Sequence, residues 1–191
     1  MPSQLIGLVA LFLILIESAH GAVSLSELCE DVSQQTGGAA SIKIMGRSYS
    51  KNVAATLEFF CNFADSPHSV DVDACENFID NRFKSEAEVN VNIRGVKSSL
   101  SAVRSYCAMH KNVFTHHVCT VNGIKELAGW VEMEMTQFAS LMGCHGIDEA
   151  SLIMHFDEDG KAGHYQFIAT HEKLYNCMME KTKAAKERED L

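Results

Sequence analysis

Cys119 stands two residues from His117 and three from His116, the residue types from which a thiol nucleophile with an imidazole base could be built. Nearness along a chain is not a hydrogen bond, however, and neither a Gly-x-Ser-x-Gly elbow nor another convincing Cys–His set accompanies it. A thiol oxidoreductase normally needs a paired thiol of low pKa, and no Cys-x-x-Cys is present. The sequence therefore predicts no catalytic residue and no enzyme. The simpler reading of Cys119 is a structural cysteine left without a partner.

Two stretches resemble calcium loops. Asp157-Glu158-Asp159-Gly160 has the opening of one but carries Ile168 where the bidentate Glu belongs. The twelve-residue span 65–76 ends on Glu76 but has Pro67, Ser69 and Val70 where an acid, an acid and a glycine are needed. His110 with His116 and His117, or His164 and His171 near Asp159, could seed a zinc site, yet no pair has helix-fixed spacing with a third ligand close by. No metal and no cofactor is expected.

The seven cysteines, Cys29, Cys61, Cys75, Cys107, Cys119, Cys144 and Cys177, carry the clearer signal. The first five are separated by 32, 14, 32 and 12 residues, a long, short, long, short rhythm. All lie beyond an apolar run, Leu5 to Ile16, that is followed by Ala19-His20-Gly21, a small-x-small cleavage pattern. That run is too short for a membrane helix, which needs about 20 residues. A signal peptide over 1–21 is expected, and with it the oxidising compartments where disulfides persist. The chain closes on Arg188-Glu189-Asp190-Leu191, similar to the retrieval tetrapeptides that a receptor reads in the endoplasmic reticulum. Localisation to the endoplasmic reticulum lumen, secretion, or both follows as an expectation. A net charge of -9 with His neutral argues against a nucleic-acid partner, which calls for clustered Lys and Arg.

The elements that would hold these residues read as helices. Ser24 and Glu27 cap a first one, Val53, Leu57 and Phe60 recur at helical spacing in a second, and Asp71 or Asp73 opens a third through Cys75 and Ile79. Ile93, Val96, Leu100, Val103 and Cys107 suggest a fourth. Ile124, Leu127, Val131, Met135, Phe138 and Leu141 suggest a fifth, closed by Gly143. Residues 150–154 and 167–178 complete an all-α reading with two more helices. In this frame the short interval from Cys61 to Cys75 spans one turn and can be closed by a bridge, and Cys29 can reach Cys107.

On these residues the chain resembles the saposin-like proteins, and by spacing it is most similar to the amino-terminal domain of the ARMET family (mesencephalic astrocyte-derived neurotrophic factor and its relatives). Canopy-type proteins are a second resemblance. Family members open with Cys-x-x-Cys, and Ser26 stands here in place of the first cysteine. The resemblance implies bridges from Cys29 to Cys107 and from Cys61 to Cys75, with Cys119 free and Cys144 able to pair with Cys177. Bridges joining Cys29 to Cys61 or Cys75 to Cys107 would remove it.

The resulting expectation is a disulfide-bridged helical bundle, saposin-like over 22–125, with further helices over 126–181 and a charged tail over 182–191. It would be non-enzymatic and bind a hydrophobic ligand or a client protein. By resemblance it would serve endoplasmic-reticulum homeostasis or act as a released trophic factor. An exported effector such as a venom or haemolymph component is the alternative. Nine histidines could also lower the negative charge on acidification and allow pH-dependent membrane contact.

Overall fold

The apolar–polar alternation of residues 130–141 decides the architecture. Val131, Met133, Met135, Gln137, Ala139 and Leu141 are all buried, while the residues alternating with them are half-buried or exposed. That is the period of a strand with one face on a core, not of a helix. The computed structural model, which describes residues 22–35, 41–44, 46–64, 67–93, 98–169 and 172–189, is accordingly α+β and corrects the all-α expectation. The expected signal peptide over 1–21 and, of the expected retrieval tail, Asp190, Leu191 and the side chains of Arg188 and Glu189 lie outside the described residues.

The chain opens with a short strand β1 (Val23–Ser24) and helix α1 (Leu25–Gln35), followed by the hairpin β2 (Ser41–Ile44) and β3 (Arg47–Ser50) and helix α2 (Lys51–Cys61). Helix α3 (Val72–Arg82) runs straight into β4 (Phe83–Ile93), and α4 (Leu100–Val113) into β5 (Phe114–Leu127). Strands β6 (Trp130–Leu141), β7 (Cys144–Phe156) and β8 (Ala162–Ala169) follow, and α5 (Glu172–Glu189) ends the chain. The main sheet has the order β1-β5-β6-β7-β8-β4, antiparallel except where β4 joins β8 in parallel; β2 and β3 pair apart from it. The boundary expected at residue 125 falls inside β5, which pairs with β6 through Leu127 and Trp130. Both expected halves therefore build one sheet.

The first four helices follow from local chemistry. Ser24 and Glu27 exchange side-chain and backbone hydrogen bonds at the start of α1, a capping box. Ser50 accepts from the Asn52 amide to open α2, and Asp71 accepts from the Ala74 amide to open α3. Each helix turns apolar side chains inward: Leu25, Leu28 and Val32 from α1, Val53 and Leu57 from α2, Ile79 from α3, and Val103 from α4. The helix expected over 124–141 is instead the β5–β6 hairpin, and the apolar stretch 150–154 lies in β7. Phe167 and Ile168 belong to β8, ahead of the last helix.

The bridges correct the pairing implied by resemblance. Cys29 joins Cys61, tying α1 to α2 with Cα atoms 5.5 Å apart, and Cys75 joins Cys107, tying α3 to α4 at 6.1 Å. Each spans 32 residues, so the two long intervals are two uses of one device rather than nested loops. The saposin-like resemblance falls with that pairing. A third bridge joins Cys144 to Cys177, and Cys119 is unbridged and buried.

Candidate functional site

Between the inward face of the sheet and helices α2, α4 and α5 lies a cavity of about 520 Å³. Its walls are largely rings and aliphatic chains: Phe59, Phe60 and Phe63 from α2 and its exit, Tyr106 and Met109 from α4, Phe167 from β8. Phe59 is nearly inaccessible to solvent and makes ring contacts with Phe60, Phe63, Phe78, Phe83 and Tyr165 at centroid distances of 5.5 to 6.1 Å. Leu174, Tyr175 and Met178 close the side formed by α5.

The polar groups of the wall are few and uncharged in kind. His117, Gln137 and the phenols of Tyr106, Tyr165 and Tyr175 line it, with Ser98 and Ser105; no Asp, Glu, Lys or Arg does so among the described residues. Burial raises the Tyr106 and Tyr165 phenols above their ordinary range, so they remain protonated donors. Gln137 owes its place to strict alternation along β6, whose pattern puts residue 137 inward although its side chain is polar. His117 owes its place to an irregularity: the β5–β6 register slips between Phe114 and His116, so Phe114 and His117, three apart, both face the core.

Behind His117 lies His110, on the last turn of α4. Its Nε2 is 3.1 Å from His117 Nδ1. The ring is fully buried against Phe63, Phe114 and Tyr106, at centroid distances of 4.9, 5.0 and 5.7 Å. Burial chiefly, and then the neighbouring His117, push the His110 pKa down to about 3. Its Nδ1 is the one buried side-chain nitrogen or oxygen without a hydrogen-bond partner among the described residues.

The residues singled out from sequence are dispersed differently than expected. His116 and His117 point to opposite faces of β5, so they cannot share a ligand, whereas His110 and His117 meet. Cys119 is inward beside Gln137, and burial pushes its thiol up to about 12 against a weaker downward pull from Gln137. The acidic loop at 157–160 is the β7–β8 turn, in which Asp157 pairs with Lys84. Asp71 is a helix cap. His164 sits beside Glu88 and Trp130, and His171 lies outside the described residues. No three His, Cys, Asp or Glu side chains converge as a metal cage would require among the described residues.

The fold is shared with solved structures of low sequence identity. A protein from Shewanella denitrificans, provisionally described as a SnoaL-like polyketide cyclase, superposes with a TM-score of 0.53 at 6% identity, over 68% of this chain and 98% of its own. TerC, co-crystallised with polyporic acid, gives 0.50 at 16%, over 66% and 99%. AclR from Streptomyces galilaeus, provisionally described as a hydroxylase, gives 0.50 at 13%, over 65% and 81%. No protein-family model and no curated sequence matches the chain.

These likenesses show an NTF2-type α+β fold and replace the saposin-like and ARMET assignments. The fold is compatible with ligand binding and does not support a helical trophic factor, a receptor or a membrane contact. The exclusion of an enzyme is also corrected: it rested on the lack of a recognisable nucleophile motif or paired thiol, and the fold found here is shared with proteins described as a cyclase and a hydroxylase.

Proposed function

We propose that the protein binds a neutral, largely apolar small molecule in the cavity between sheet and helices. The observation that carries this reading is a large ring-lined cavity whose described wall has no charged side chain. A site of this kind accepts apolar surface and fixes orientation through a few polar groups. An ionised ligand would lose its hydration without a countercharge, which is costly. A small molecule fits the geometry better than a client protein, because the apolar surface lies between elements rather than on an outer face.

The three disulfides support a working address in an oxidising compartment, and the retrieval-like tail supports the endoplasmic reticulum in particular. The test is a titration with N-phenyl-1-naphthylamine, a neutral dye that brightens in apolar surroundings. Saturable one-to-one binding is expected, lost in Ala102→Trp, which fills the cavity from α4. Equal binding by the wild type and the folded variant would overturn the reading.

A further inference from the structure

The face of the sheet turned away from the cavity carries a different chemistry. Leu127, Trp130, His155, His164 and Glu88 stand in one register row that crosses β5, β6, β7, β8 and β4. The residues next along four of these strands, Val131, Met154, Tyr165 and Val89, are buried, so the row itself points outward. Trp130 is 43% exposed although its ring packs on His155 and His164 at centroid distances of 4.5 and 5.3 Å. His155 Nδ1 in turn lies 3.6 Å from Asp157 Oδ1, and His164 Nδ1 3.4 Å from Glu88 Oε2. The indole is thus supported by the sheet and remains open to solvent.

The charge around it has one sign. Among the described residues, the outward positions of β5 to β8, with Glu88 and Asn90 of β4, hold four carboxylates, Glu88, Glu132, Glu134 and Glu149, and one ammonium, Lys125. Lys125 Nζ lies 2.7 Å from Glu134 and 4.0 Å from Glu132, so its charge is met within the face. We infer that this face docks a basic segment of a partner protein, an Arg or Lys of which lies on the Trp130 ring while the surrounding carboxylates meet its neighbours. Charge complementarity sets the occupant. A second copy of the chain would bring the same excess of carboxylates, whereas a cation is attracted by the indole face and by the acids together. The face is separate from the cavity, and the inference does not depend on what binds there.

Trp130 is the only tryptophan in the chain, so its emission reads the site directly. The probe is N-acetylated hexa-arginine amide, titrated into the non-reduced full chain at neutral pH and low salt. A saturable change in Trp130 emission is expected, with an affinity that falls as salt is raised. By calorimetry, Trp130→Ala and Glu132→Gln should each weaken binding about two- to fivefold. Glu30→Gln, at an exposed position of α1, should leave it unchanged. Glu132→Gln keeps the shape of its side chain and serves where Trp130→Ala fails to fold. Equal losses in all three variants would mean attraction to net charge alone and overturn the inference. So would an absence of binding, or binding that alters neither the emission nor the affinity of Trp130→Ala. A response to triacetylchitotriose without one to the peptide would assign the face to a neutral sugar, and self-association abolished by Trp130→Ala would assign it to a second copy; either overturns the inference.

Discussion

His110 and His117 meet Nε2 to Nδ1 at 3.1 Å across a chain reversal that holds the end of α4, the start of β5 and a register slip. Helix and strand follow each other without a loop, and the extra residue in β5 turns His117 inward to its partner. One local irregularity thus joins the end of α4 to the imidazole that His117 places on the cavity wall.

This contact sets an acid limit on stability. The His110 pKa falls to about 3 in the folded chain from an ordinary 6.5, so below 6.5 the unfolded state binds a proton that the folded state refuses. Stability is therefore complete above pH 6.5 and declines as pH falls toward 3, by up to about 1.4 kcal/mol per pH unit. Urea unfolding between pH 7 and pH 4.5 should show a steeper loss for the wild type than for His110→Phe. Parallel curves would show that His110 protonates as readily folded as unfolded. Neither Tyr106 nor Cys119 complicates the comparison, since burial moves both away from this range.

Cys119 should be inert in the native protein. Its thiol is buried and pushed up to about 12, so at pH 8 almost none is thiolate, the reactive form. The aromatic disulfide DTNB should release no chromophore from the non-reduced native chain and one equivalent in guanidinium. Rapid native reaction would mean an accessible, ionised thiol and would return Cys119 to the list of reactive groups.

The helical half of the fold was legible because its signals are local. Ser24 with Glu27, and Asp71, are capping residues that work over three positions, and they open helices as expected. The sheet was hidden by two coincidences. Val131 and Met135 are four apart, a spacing that fits one face of a helix and one face of a strand alike, and Met133 between them is the residue that distinguishes the two. Gln137 inward and Phe138 outward then interrupt the alternation. The interruption is itself a site signal, since a polar residue at a core position of a strand is what a ligand wall needs. The pairing implied by resemblance fails because the two equal 32-residue intervals are closed by two equivalent bridges rather than by a nested pair.

Hairpin chemistry explains the rest and gives a stability prediction. Ala128-Gly129 and Met142-Gly143 form two-residue turns with every φ positive, at 48°, 83°, 52° and 71°. Such turns are usually announced by Asn-Gly or Asp-Gly, so Gly143 read as the end of a helix. A side chain other than Gly, Asn or Asp costs about 1–2 kcal/mol in this conformation. Met142 is largely exposed and buries little, so Met142→Asn should raise stability by about 0.5–1 kcal/mol in chemical denaturation. Gly129→Ala should do the reverse, because an added Cβ would stand 2.7 Å from the Phe156 carbonyl oxygen. Destabilisation by Met142→Asn would mean that the Met side chain packs in a way its exposure does not reveal.

Helix α5 closes one wall of the cavity, and the Cys144–Cys177 bridge ties it covalently to β7. Leu174 packs into a small cluster with Phe114, Ala139, Leu141 and Cys144, and Lys181 donates to the Met142 carbonyl at 3.0 Å. Beyond these the helix is polar and exposed at Glu172, Lys173, Asn176 and Glu180. A bridge spanning 33 residues contributes about 3–4 kcal/mol where the chain-entropy model holds. Replacing both cysteines by serine should therefore free α5 without dissolving the sheet. Amide exchange over residues 172–183 should accelerate by at least tenfold while that of β6 and β7 stays slow, and the affinity for N-phenyl-1-naphthylamine should fall several-fold because Leu174, Tyr175 and Met178 leave the wall together. Unchanged exchange in α5 would show that noncovalent contacts, Leu174 among them, hold the helix without the bridge. Faster exchange with undiminished affinity would show that the cavity closes on its ligand without it.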